Sequence, residues 1–255
     1  MTLRIAFVLV LIQTAGSAKA QTVSSGVYEW QRTTVTKKFG LEQRTLLEGS
    51  TTDFCHIKLH ATTLPPHQTP HLAHKHNDEE LIIVKDGELT VTIAGNTKTL
   101  GAGSIALMMP GDEHGFENKG DAPATYYVMR YESNQAADSV RGQKAGGSFW
   151  IDWKDVAFQA HGKGGIRRMF DRATAMTKRF EMHVTTLNEG LWSHPPHTHR
   201  AAEILLMIDN TAQESIDGKL HPATVGDVIF LESNVPHAIQ NTSKGSCTYF
   251  AFQFE

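Results

Sequence analysis

The sequence predicts an all-β protein built as two tandem antiparallel barrels of the jelly-roll kind. Three observations carry that prediction. Short apolar or alternating runs recur along the chain, broken by turn dipeptides, and helical periodicity is scarce. A polar, glycine-rich stretch near the middle separates two halves of similar size. The same metal-ligand spelling occurs once in each half, 123 residues apart from His74 to His197.

The N-terminus reads as a targeting segment. Arg4 supplies a positive charge, Ile5 to Ile12 form an apolar run, and Ala18-Lys19-Ala20 gives a small-residue site with cleavage between Ala20 and Gln21. Residues 1–20 are thus expected to be a signal peptide, and the mature protein to be periplasmic or secreted. About 235 residues then remain, enough for two barrels of roughly 110 residues each. The first barrel is assigned to 21–140. Its runs DFCHIKLHATTL, ELIIVKDGELTVTIAGNTKTL and ATYYVMRYES break at Asp86-Gly87 and Gly95-Asn96, as hairpins do. Residues 141–255 form a linker arm and the second barrel. Trp150, Trp153 and Phe158 lie in the arm and read as packing residues that join the barrels. KRFEMHVTTL, EILLMIDNTAQESIDGKL and CTYFAFQFE repeat the strand pattern, with a turn at Asp217-Gly218. Cys55 and Cys247, one in each half, read as two buried free thiols.

Each metal-ligand set is His-x-His-x3-Glu followed by a further histidine 34 positions on. The first is His74, His76, Glu80 and His114, and the second is His197, His199, Glu203 and His237. On a strand alternate side chains share a face, so each His-His-Glu trio has the parity to converge on one point. His114 and His237 follow strand-and-turn segments that can return them to it. Imidazole nitrogens with one carboxylate suit a divalent Mn, Fe, Ni, Co or Zn ion, one per barrel, and leave coordination positions open for a substrate. Among the 14 histidines, His71 and His194 sit three residues before a ligand and read as mouth residues. His56, His60, His67, His161, His183 and His221 belong to no such set and read as surface or supporting positions.

A formal charge of -3 gives no footprint for nucleic acid or an anionic membrane, and no run of about 20 apolar residues follows the leader.

These residues resemble a two-domain cupin, whose fold is a pair of double-stranded β-helix barrels. The first cupin motif, G-x5-H-x-H-x3,4-E-x6-G, is matched at His74, His76, Glu80 and Gly87, without its leading glycine. The second, G-x5-P-x-G-x2-H-x3-N, is matched at Gly103, Gly111, His114 and Asn118, with Met109 in place of proline. In the second half His197, His199, Glu203, Gly226, His237 and Asn241 match. Asn210 replaces a closing glycine there, and Glu232 and Asn234 replace proline and glycine. The layout also resembles (S)-ureidoglycine aminohydrolase from Arg167-Arg168 through KRFEMHVTTL to the last strand. That family carries a Glu-His-His-Gln set in its second barrel and a lysine in its last strand, where this chain has Gln253. The resemblance implies pairing through barrel edges, so a homodimer is expected.

In cupins the last strand of each barrel faces the metal, which makes Arg130 and Gln253 the candidate catalytic residues, the arginine as a carboxylate partner. Lys58, Arg168, Trp192 and Tyr127 are further candidates for the pocket wall. The function expected is Lewis-acid chemistry on a small oxygen-rich substrate: a uronate or other sugar, an oxo acid or a ureido acid. The enzyme class would be an isomerase, lyase or amidohydrolase. The alternatives are a Fe- or Mn-dependent dioxygenase-type oxidoreductase and a non-catalytic sugar- or metal-binding protein. If one site is catalytic, the second is favoured, because His194, His221 and Trp192 flank it and its departures at Asn210, Glu232 and Asn234 suggest reshaped loops.

Overall fold

The computed structural model describes residues 21–255 apart from Phe39; the expected signal peptide lies outside the described residues. Each half folds as a seven-stranded sheet facing a three-stranded one, all named strands pairing antiparallel. In the first half the large sheet runs in the order Phe149–Ile151, Ile105–Met108, Glu79–Asp86, Ala124–Ser133, Phe54–Leu64, Leu41–Gly49, Val35–Lys38. Its small sheet is Asn96–Gly101, Glu88–Ile93, His114–Glu117. In the second half the large sheet is Gly26–Tyr28, Val228–Leu231, Ala202–Asp209, Cys247–Phe254, Phe180–Leu187, Gly164–Arg172, Gln159–His161. The small one is Lys219–Ala223, Ala212–Ile216, His237–Asn241.

The runs LIIV, YYVM, ILLMI and YFAF are apolar throughout rather than alternating, because both faces of these central strands are covered. One set of side chains (Ile82, Val84, Val91, Phe116, Tyr126) fills the first barrel, and a second set (Leu205, Met207, Ile239, Tyr249) lines the second. The residues between them in sequence, such as Leu81, Ile83, Tyr127, Met129, Ile204, Leu206, Phe250 and Phe252, form a third core between the two large sheets. Phe54 stacks on Phe254 across that core with ring centroids 4.6 Å apart. Burying one such ring stabilises the fold by about 1.5–3 kcal/mol. Tyr127 belongs here, its ring 5.8 Å from that of Trp30, so it is not a pocket wall; the interior position is its neighbour Tyr126.

The 123-residue repeat extends to the arms, and the arms are exchanged. Gly26–Tyr28, which precedes the first barrel, pairs with Val228–Leu231 of the second. Phe149–Ile151, which precedes the second barrel, pairs with Ile105–Met108 of the first. Ser25 Oγ accepts the Glu232 N–H and Ser148 Oγ accepts the Met109 N–H, both at 2.8 Å. These contacts occupy the two positions where the motif's proline is replaced. Trp30 then lies over Gly226 and Trp153 over Gly103. Both glycines have positive φ, +95° and +82°, and a Cβ would meet the indole at 3.0 and 2.6 Å respectively. The motif glycine is thus required twice over, by backbone conformation and by the indole of the other half's arm. Trp150 packs on the first barrel's interior core, whereas Phe158 lies across Gly165 and remains 46% exposed.

Two expectations change. Asn210 and Asn234 take φ of 58° and 62°, close to the 77° and 83° of Gly87 and Gly111, so these substitutions keep the turns rather than reshape them. Cys55 is exposed, not buried, because its position on Phe54–Leu64 points outward; Cys247 is buried, and both thiols are free.

Glu79 ties the halves together. Its carboxyl accepts from Tyr131 Oη at 2.5 Å and from the Met176 N–H at 2.9 Å, with 0% exposure. Burial raises its pKa against the opposing pull of these bonds. Glu79→Ala strands both donors, and urea denaturation is expected to show a loss of about 1–3 kcal/mol. Gly103→Ala and Gly226→Ala should each lose a similar ~1–3 kcal/mol from strain at positive φ, measured the same way.

Candidate metal centres

In both barrels the ligands come from three places that the sheet brings together. His74 and His76 precede the strand Glu79–Asp86, Glu80 lies within it, and His114 opens the strand His114–Glu117. His74 is not in a continuous strand as its parity suggests. It makes a two-way backbone bridge to His114, both N–H···O distances being 3.0 Å, and His197 makes the same bridge to His237 at 3.2 and 3.0 Å. In each set the histidine ligand atoms lie within 4.8 Å of one another. The ring spacings repeat closely: 5.3, 4.8 and 4.7 Å in the first barrel, 5.3, 4.7 and 4.8 Å in the second.

The imidazoles are pre-oriented. Nδ1 of His76, His114, His199 and His237 lies 2.8–2.9 Å from the carbonyl of Asp78, Asp112, Ala201 and Val235 respectively. Donation to those carbonyls places the proton on Nδ1 and turns the Nε2 lone pair inward, the tautomer a metal requires. Nε2 of His114 and of His237 is buried without a hydrogen-bond partner, as expected of a donor atom whose partner is an ion. Glu80 Oε2 stands 3.0 Å from His76 Nε2 and 3.9 Å from His114 Nε2. Glu203 Oε2 stands 3.1 and 3.2 Å from the corresponding nitrogens of His199 and His237. The residues present therefore fit a divalent ion in either barrel.

The electrostatics divide the ligand imidazoles: burial favours the neutral form of three, while neighbouring carboxylates raise His76 and His199, where metal binding would release a proton. Burial lowers His74, His114 and His197, favouring neutral, ligating imidazoles. Burial would lift Glu203, but the imidazoles of His199 and His237, at 3.1 and 3.2 Å, overcome it and hold the carboxyl at about 2. In the first barrel burial opposes, and Asp78 and Glu80 carry, a rise of His76 to about 9.

Beyond the ligands the two sites differ. Arg130 is aligned with Glu80 across the sheet, but its guanidinium is held bidentately by Asp78 at 2.6 and 2.8 Å, and Asp78 Oδ1 also lies 2.7 Å from His76 Nδ1. The arginine is thus engaged by the protein itself. The equivalent residues in the second barrel are Gln253 and Ala201, and Gln253 Nε2 lies 3.5 Å from His199 Nε2. In the first barrel Phe116 sits between His114 and Tyr126, 5.8 Å from each ring. Its counterpart is the smaller Ile239, and a chamber of about 260 Å³ opens beside the second ligand set. Gln253, His183, Thr185, Glu214 and Tyr249 are among its walls.

His71 and His194 lie edge-on to His74 and His197, with ring centroids 4.3 and 4.1 Å apart. His183 lines the chamber, held by Glu181 at 2.9 Å, and His161 stands at its rim; neither had a ligand-like spacing to reveal it. His60 is buried inside the first barrel, where burial lowers it to about 4. Lys58 pairs with Glu48 at 2.9 Å, Arg168 is exposed, and the Trp192 carbonyl accepts from Lys163. Glu214 and Tyr249 were missed. Aligning the repeats at 123 residues would have exposed Glu214, since an acid there replaces Val91.

Known proteins frame this geometry. The family described as Cupin domain matches residues 60–130 and 183–252, together more than half of the chain. No curated protein matches the sequence. Among solved structures the chain is similar to AerE from Microcystis aeruginosa, at 16% identity, 88% of this chain, 97% of that one and a TM-score of 0.67. It is similar to Ylba from E. coli at 13% identity, 94% and 95% coverage and a TM-score of 0.70. It is also similar to oxalate decarboxylase from Lactobacillus farciminis, in a formate complex, at 13% identity, 91% and 87% coverage and a TM-score of 0.71. At such identities the likeness speaks for the fold. With its matched segments falling one in each half, the chain belongs to the cupin family and carries two cupin domains.

Proposed function

We propose that the protein is a periplasmic or secreted metal-dependent enzyme, homodimeric, with a divalent ion in each barrel and its working centre in the second. The observation that carries the choice of barrel is the open polar chamber beside His197, His199, Glu203 and His237. The first site, with Arg130 closed onto Asp78 and Phe116 packed against His114, serves the stability of its barrel.

His197, His199, Glu203 and His237 would hold a divalent ion, which would supply Lewis acidity toward a carbonyl or hydroxyl oxygen of a small oxygen-rich substrate. The chain supplies the remainder. Nδ1–H bonds to Ala201 and Val235 hold the ligating rings in place, so little reorganisation accompanies binding. The Gln253 amide, beside His199, is placed to orient a substrate oxygen. Leu187, Leu205, Ile239 and Ala251 form the apolar part of the wall and limit water around the reacting group. The same ligand types also suit redox chemistry with Fe or Mn, in line with the structural likeness to an oxalate decarboxylase.

Elemental analysis of the mature protein should find about two divalent ions per chain, falling to about one in His74→Ala/His76→Ala and in His197→Ala/His199→Ala. Turnover of uronates, oxo acids or ureido acids should survive the first pair and drop at least ~100-fold with the second. A wild type that retains no divalent ion sinks the proposal. Activity that persists with Zn or Ni under nitrogen marks the Lewis-acid route, whereas dioxygen consumption that follows Fe or Mn marks the oxidative one.

A further inference from the structure

The 123-residue offset sets each interior position of one barrel against its equivalent in the other, and one pair breaks the pattern. Val91 belongs to the apolar interior of the first barrel, and its equivalent in the second is Glu214. Glu214 is 0% exposed, and neither carboxyl oxygen has a hydrogen-bond partner. The Ala238 amide lies near, yet neither oxygen meets hydrogen-bond geometry with it. The side chain lines the chamber that also contains Glu203 and His237. A buried, unpartnered carboxyl is destabilising, and a valine of the kind the fold uses in its other copy would remove the cost. The chamber it lines is the place from which a ligand could supply that partner.

The other polar walls restrict what that ligand is. Where the first barrel has Arg130, the second has the neutral Gln253. Thr185 and Tyr249 add hydroxyls, and burial keeps the Tyr249 phenol far above its ordinary pKa, hence uncharged. Among the described lining residues the lysine, Lys163, has Nζ occupied by the Trp192 and Ser193 carbonyls at 3.0 and 2.9 Å. Burial, reinforced by the charge on Glu203, raises Glu214 well above an ordinary carboxylate. Beyond the one carboxylate that the metal end can take, a second would meet Glu203 and Glu214, with the Lys163 ammonium turned onto two carbonyls, whereas hydroxyls would find donors and acceptors on several sides. The volume, about 260 Å³, holds roughly nine waters at liquid density, the size of a short sugar acid.

We infer that Glu214 is a substrate-contacting residue that hydrogen-bonds a ligand hydroxyl, and that the chamber takes a small polyhydroxylated molecule bearing at most one carboxylate. This rests on the reading of the second barrel as the working metal site.

D-gluconate and D-glucarate differ only in a terminal CH2OH against a second carboxylate, and calorimetry on the manganese-loaded protein compares them directly. Gluconate is expected to bind at least about tenfold more tightly. Glu214→Val should weaken gluconate about tenfold or more and remove the preference. The same variant should keep about two ions per chain and melt at a higher temperature than wild type. Glu214→Gln, which retains a donor and an acceptor, should keep most of the preference. Equal binding of the two acids, binding of neither, or unchanged gluconate affinity in Glu214→Val overturns the inference while leaving the metal-site reading intact. So does a lowered melting temperature in Glu214→Val with affinity unchanged, the mark of a purely structural carboxyl. Failure of the second site to take up manganese overturns both.

Discussion

The contact between the two seven-stranded sheets is the constraint on which the rest of the molecule depends. Each large sheet has a barrel interior on one face and the other half on its second face, so its central strands carry unbroken apolar runs such as Leu81–Val84 and Ile204–Met207. The acids that begin those runs have partners. Glu80 and Glu203 stand against the candidate metal-binding histidines, and Glu79 bonds across to the backbone of the other half. The site therefore inherits rigidity from the shared core: Glu203 is fixed between Leu231 and Gln253, in strands whose opposite faces are packed against the first barrel.

Duplication gave two copies of the ligand geometry, and they have diverged in the walls rather than in the ligands. Ring spacings agree within 0.1 Å between the copies, while Arg130, Asp78 and Phe116 have become Gln253, Ala201 and Ile239. The first copy turns its charges on one another, and the second leaves its polar groups facing a cavity. Function in such a fold lies in these few wall positions, which is why the family alone does not give the reaction.

The two histidine clusters were legible in the sequence because their spacing is short and repeated. The fold class was legible because turns and strand lengths are local. Other features were not, for physical reasons. Tyr126 and Tyr127 are both buried, so burial patterning cannot tell the barrel interior from the core between the sheets, and Tyr127 was placed on the wrong side. The pairing of Gly26–Tyr28 with Val228–Leu231 leaves no local mark, because a three-residue strand gets its partner from the far end of the chain. Asn210 and Asn234 look like departures from a glycine pattern, but asparagine tolerates the same left-handed conformation. His183, Thr185 and Tyr249 come from adjacent strands with no shared spacing. They become a wall only when the sheet curves.

The exchanged arms also set an order of events in assembly. The segment at 26–28 leaves the ribosome early, yet the strand it completes is built from 228–231, some 200 residues later. Until nearly the whole chain exists, the second barrel has an open edge and the indole of Trp30 has no glycine to lie on. Neither half cut at residue 140 would carry its own edge strand, since each has lent it to the other. The protein is thus two domains by repeat but one cooperative body by closure, and the first arm to be made is among the last pieces to find its place.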